Sequence, residues 1–102
     1  MNGTKPIIRK IVNADPKTYI IFFVSDCSYC QKSLKLLKDS KLAYKGYNIN
    51  KINGGMQKLL ELLNNNAELL AFDPLHKTKP IIFLNGKFLG GYDQLTERLE
   101  ST

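Results

Sequence analysis

The chain has 102 residues, 43% apolar and 24% charged, enough for one globular core but not for two, so residues 1–102 read as a single domain. No apolar run approaches the roughly 18–20 residues of a membrane span, and the opening MNGTKPIIRK has no signal-peptide pattern; a reducing, cytoplasmic setting without a membrane partner is expected. The net charge of +6 comes from lysine, with only Arg9 and Arg98 as arginines, and this diffuse excess favours anionic partners without indicating nucleic acid.

In chain order, Ile7, Ile8, Ile11 and Val12 keep helical spacing, with Thr4 as a cap and Pro6 in a first turn; a short helix from about 5 to 14 follows, closed by Asp15-Pro16. Tyr19 to Val24 is a continuous run of β-branched and aromatic residues, which suits a strand buried on both faces. Ser25 and Asp26 are cap-type residues. Beyond Cys27 the pattern turns helical, with Leu34, Leu37 and Cys30 on one side and Lys32, Lys35 and Lys38 on another. Leu42 to Ile49 reads as a second strand. Met56, Leu59, Leu60, Leu63 and Leu70 again keep helical spacing, with a break expected at Asn64-Asn65-Asn66. Pro80 opens a strand, Asn85-Gly86 signals a tight hairpin, and KFLG returns antiparallel. Gly90-Gly91 ends that strand, and Leu95 with Leu99 marks a last helix. The order αβαβαββα is that of an α/β sandwich on a small mixed sheet.

Both cysteines of the chain, Cys27 and Cys30, therefore stand at a strand-to-helix junction in a C-x-x-C pair. Four chemistries compete for them. A structural disulfide gains little from so short a loop in a reducing compartment. A zinc site needs about four ligands, and the single histidine, His76, is far along the chain. Two inert core thiols are the plainest alternative. Redox chemistry is the fourth, and the geometry favours it. A thiol in the first helical turn meets unpaired backbone N–H groups and the positive end of the dipole, which can pull a pKa from about 8.5 to between roughly 3.5 and 7.5. Cys27 is then the nucleophile, and Cys30, three residues on and on the same face, is placed to resolve a mixed disulfide formed at Cys27. Asp26 works against the thiolate as an adjacent carboxylate, and capping the helix is its alternative role.

Three separated segments carry a resemblance that runs from about Tyr19 to Leu99. FFVSDCSYC leads into a helix, Thr78-Lys79-Pro80 precedes IIFLNGKFLGG, and Gly90-Gly91-Tyr92-Asp93 opens the last helix. In this order they resemble the glutaredoxins, thioredoxin-fold oxidoreductases that use glutathione. The thioredoxin pattern W-C-G-P-C is absent, and the chain has no tryptophan. The resemblance implies a thioredoxin-like three-layer sandwich, with a small mixed four-stranded sheet flanked by helices. It implies catalysis by Cys27 and Cys30 on glutathionylated or disulfide-bonded proteins, by a monomer.

Glutathione as co-substrate would lie along Tyr29, Lys77, Thr78, Lys79, Pro80, Gly91, Tyr92 and Asp93. The family's proline matching Pro80 is cis, which would turn the Lys79 backbone toward the cysteines to pair with the cysteinyl part of glutathione. The N–H groups of Tyr92 and Asp93 at a helix start suit a carboxylate, while Asp93 accepts from an ammonium. Two departures stand out: Val24 replaces the basic residue usual three positions before the first cysteine, and Lys79 replaces a valine. Lys77 and Lys79 are the candidates to restore that charge. The Lys32, Lys35, Lys38 stripe reads as a solvated helix face, and His76 as a loop residue. Three other readings remain. With Val24 in place of the basic residue, glutathione would bind weakly and the chain would act as a thioredoxin-like reductase whose main substrate is a protein disulfide. Relatives with serine after the first cysteine, as Ser28 here, suggest a [2Fe–2S] cluster held by Cys27 and glutathione between two protomers. An interaction domain that uses the groove without turnover is the third.

Overall fold

The computed structural model describes residues 4–101, with side chains from Pro6 onward. Its elements are α1 (Thr4–Val12), β1 (Tyr19–Phe23), α2 (Ser28–Asp39), β2 (Tyr44–Asn48), a 3-10 turn (Ile49–Lys51), α3 (Gly55–Asn65), α4 (Ala67–Leu70), β3 (Ile81–Leu84), β4 (Lys87–Gly90) and α5 (Tyr92–Glu100). The expected order holds. The first helix ends two residues earlier than its spacing predicts and begins at Thr4, the residue expected to precede it as a cap; the side chain of Thr4 lies outside the described residues.

The sheet order is β2-β1-β3-β4. β1 runs parallel to β2, Tyr19 facing Tyr44 and Phe23 facing Asn48, so α2 is the crossover between them. β3 is antiparallel to β1, with Phe22 opposite Ile81, and β4 folds back on β3. That hairpin turns on Asn85 and Gly86, with φ of 55° and 75°: both central residues take the left-handed region that a two-residue hairpin requires. The segment expected to break at the asparagines does so, where the Asn66 side chain donates to the Leu62 carbonyl at 2.9 Å and α4 starts afresh.

A strand buried on both faces needs a core on each, and β1 supplies both. Ile20, Phe22 and Val24 face one way and pack with Ile81 and Phe83 under α1, α3 and α4, against Ile11, Leu59, Leu63 and Leu70. Tyr19 and Ile21 face the other way and join Ile82 beneath Leu37 of α2 and Leu95 of α5. The result is the three-layer α/β sandwich with a small mixed four-stranded sheet. Aromatic edge-to-face pairs tie the larger core together, Phe22 to Phe83 at 6.0 Å and Phe83 to Phe88 at 5.8 Å between centroids. β2 is different: it lies at the sheet edge and is largely exposed, so its sequence lacks a clean alternation. Lysine on such an edge discourages pairing with another chain, and Lys45 sits there.

Candidate active site

β1 ends at Phe23, Val24 stays in the core, and the chain turns through Ser25 and Asp26 to start α2 at Ser28. The cap of α2 is not Asp26, as its residue type suggested, but Cys27. Its sulfur accepts from the Cys30 backbone N–H at 3.1 Å, and Asp26 stays exposed. The reason is register: a cap side chain must sit one residue before the first helical position to reach the free N–H groups of the first turn. A thiol sulfur held by such an N–H is stabilised when it carries negative charge.

The second thiol is placed quite differently. Cys30 is 0% exposed, whereas Cys27 is partly open to solvent. Burial first, then the hydrogen bond and the repulsion from Cys27, push the Cys30 thiol up to about 12, although the Val24 backbone and the Lys79 ammonium act in the opposite direction. Burial penalises the charged form, and two adjacent thiols do not readily ionise together. The two sulfurs therefore have separate characters: one reachable and supported by a helix start, one protonated and covered.

Across the thiols runs the segment before β3. The Lys79-Pro80 peptide bond is cis, and the Cys27 thiol points its hydrogen at the Lys79 carbonyl, 3.8 Å away. A groove of about 260 Å³ opens there, lined by Tyr29, Thr78, Lys79, Gly91, Tyr92 and Asp93, together with His76 and Gln94. The first six of these were all marked by the sequence. The Tyr29 and Tyr92 rings stand 5.8 Å apart and form an aromatic wall. Pro80 is buried behind the groove, and Lys77 lies outside its lining, so Lys79 is the lysine brought to the thiols. Val24 is 4% exposed in the larger core, and a charge at that position would have to be buried.

His76 and Gln94 were not singled out for the site. Gln94 reaches back so that its side-chain carbonyl accepts from the Gly91 N–H at 2.8 Å, fixing the start of α5. The signal was readable in hindsight, since a Gln at the third helical position is half of a capping box. His76 is a loop residue, as expected, but its ring packs on Phe88 and lies 3.4 Å from the Pro80 carbonyl, and so forms part of the groove floor. The lysine stripe of α2 is solvent-facing as expected: Lys35 pairs with Asp39 at 2.8 Å and Lys32 lies over the Tyr29 ring.

No protein-family model matches the chain. A probable glutaredoxin of Acanthamoeba polyphaga mimivirus is 50% identical over 95 residues, which is 93% of this chain and 90% of that protein. The chain belongs to the glutaredoxin family. Its chemistry is that of a thiol–disulfide oxidoreductase, and the Cys27–Cys30 spacing fits the C-x-x-C pair of such enzymes. Mitochondrial glutaredoxin-2 of Mus musculus is 32% identical over 77 residues, covering 71% of this chain but 41% of that protein. Solved glutaredoxins share the fold. The holo form of glutaredoxin C1 from Populus tremula x tremuloides superposes with a TM-score of 0.71 at 23% identity, over 99% of this chain and 90% of that one. A buckwheat glutaredoxin–glutathione complex gives 0.70 at 23% identity, over 96% and 83%. As for a metal, no group of three or more His, Cys, Asp or Glu side chains gathers among the described residues.

Proposed function

We propose that this glutaredoxin is a glutathione-dependent dithiol reductase of protein disulfides and glutathionylated proteins. The observation that carries the reading is the pairing of an accessible Cys27 sulfur, capped onto α2, with a buried Cys30, beside the groove of Lys79 and Tyr92. The Cys27 thiolate attacks one sulfur of a substrate disulfide, forming a mixed disulfide and releasing the other sulfur as a thiolate. Sulfur attached to substrate no longer carries charge, so the repulsion that helps hold Cys30 protonated is removed at that moment. Lys79 remains to favour the Cys30 thiolate, which attacks the Cys27 sulfur and releases the second substrate thiolate. The substrate has gained two electrons and the protein holds a Cys27–Cys30 disulfide. Two glutathione molecules reduce it and leave as glutathione disulfide.

Glutathione fits the groove chemically. The free backbone N–H groups at the start of α5 suit its γ-glutamyl carboxylate, Asp93 suits the ammonium, and Lys79 supplies the cation missing at Val24 for the glycyl carboxylate. A glutathionylated substrate needs only Cys27, because a second glutathione resolves the intermediate. A reducing compartment such as the cytoplasm, where both thiols stay free, suits this cycle, as does a monomer with its groove open. The test is glutathione-coupled turnover of a small glutathione mixed disulfide and of a disulfide-bonded protein. Cys27→Ser loses both activities; Cys30→Ser keeps the first and loses the second. Loss of both in Cys30→Ser, or turnover by wild type with glutathione omitted, would overturn the assignment.

A further inference from the structure

A second cavity shares no lining residue with the dithiol groove and is larger, about 750 Å³. It lies where α1, the end of β2, the 3-10 turn and α3 converge. Ile7, Phe22, Tyr47, Ile52 and Leu62 give it an apolar floor. Lysines enter it from three different elements, Lys10 from α1, Lys51 from the 3-10 turn and Lys58 from α3, and none of its lining residues is acidic. Lys58 is partly neutralised by Glu61 at 3.0 Å, and Lys10 lies over the Tyr47 ring at 5.3 Å, while Lys51 has no salt bridge among the described residues. The cavity reaches Ser25, two residues before Cys27, and the Ser25 carbonyl accepts from the Gln31 side chain of α2 at 2.7 Å. Its flank is the edge strand β2, which no further strand covers.

We infer that this cavity docks an acidic, partly apolar segment next to the target disulfide of a protein substrate. The occupant follows from the chemistry: an apolar floor takes one or two large side chains, and Lys10 and Lys51, with Lys58 only partly neutralised by Glu61, take Glu or Asp beside those side chains. Continuity with the Ser25 turn makes the occupant part of the molecule whose sulfur sits at Cys27. A volume of 750 Å³ holds a few side chains, not a folded surface. The inference rests on the proposed function. It assigns substrate choice to a surface that shares no lining residue with the dithiol groove.

The test uses two short glutathionylated peptides, identical except that Glu residues flanking Leu and Phe in one are Lys in the other. Wild type is expected to prefer the acidic peptide at least tenfold in kcat/KM at low salt, mainly through KM. K10E/K51E is expected to lose that preference, whereas K17E/K38E, with the same change in net charge outside the cavity, is expected to keep it. Turnover of a small glutathione mixed disulfide reports separately on folding and on the glutathione reading. If wild type lacks that turnover, the proposed function fails; if it has it and shows no peptide preference, only the docking inference fails. Equal loss of preference in both double variants would reduce the effect to long-range attraction and overturn the inference. Binding of free 4-phenylbutyrate as tightly as a cysteine-free acidic peptide would make the cavity a small-ligand site and overturn it as well.

Discussion

The separation of the two thiols can be measured by leaving Cys30 alone, in Cys27→Ser, and challenging it with an aromatic disulfide that releases a coloured thiolate. In the wild-type protein the Cys30 thiol is pushed from about 9 to about 12, which lowers the thiolate fraction at neutral pH by a factor of roughly 1,000. A more basic thiolate is also a better nucleophile, with a Brønsted coefficient of about 0.4–0.5, which returns a factor of about 15–30. The net effect of protonation is a reaction at most about thirty- to sixtyfold slower than that of an ordinary thiol, before the steric effect of complete burial is added. Serine removes the hydrogen bond and the charge repulsion of Cys27, which makes that factor an upper bound, but burial, the largest cause, remains. The assay follows colour release by folded Cys27→Ser and by the same variant unfolded in guanidinium. A folded rate within tenfold of the unfolded one would refute the reasoning, since Cys30 would then be neither covered nor held protonated.

The same raised pKa links stability to pH. The unfolded chain releases the Cys30 proton near pH 8.5 and the folded one near 12, so above pH 8.5 the native state binds more protons and stability falls as pH rises. The loss approaches about 1.4 kcal/mol per pH unit and is absent in Cys30→Ser, as urea titrations of both proteins between pH 8 and 10.5 would establish. Gly90 holds φ at 137°, and a Cβ there would come within 2.5 Å of Gln94 Cγ, so Gly90→Ala should cost about 1–3 kcal/mol and loosen the start of α5, read by chemical denaturation and amide exchange at Gly91. Phe83 is fully buried between Phe22 and Phe88, and Phe83→Ala should cost about 3–5 kcal/mol, lowering the denaturation midpoint at unchanged slope. A loss below about 1 kcal/mol would mean that the core closes over the vacancy.

Most of the site was legible because its parts are local. A C-x-x-C pair at a strand-to-helix junction, an X-Pro before a strand and a paired glycine before a helix each carry their geometry in a few neighbouring residues. The errors came where one position decides. Ser25, Asp26 and Cys27 are all able to stand at a helix start, and only the exit of β1 from the core, with Val24 still buried, sets which of them is the cap. The choice between Lys77 and Lys79 was likewise open in the sequence: two residues apart, they would share a face of an extended segment, and the bend at Thr78 and Lys79 before the cis Pro80 separates them. The structure brings Lys79 to the thiols and leaves Lys77 outside the groove. Gln94 was visible as half of a capping box, but its role depends on Gly91, which packs 3.4 Å from His76 when a Cβ is imagined there.

The sequence by itself determined the order of elements, the faces of β1, the hairpin at Asn85-Gly86 and the identity of the two thiols, because hydrophobic period, turn chemistry and helix caps act over a few residues. The tertiary structure alone decided that Cys30 is covered while Cys27 is reachable, that His76 floors the groove, and that lysines from α1, the 3-10 turn and α3 meet over one apolar floor. Those facts depend on packing between segments far apart in the chain, and burial and electrostatic interaction act through space, not along the backbone.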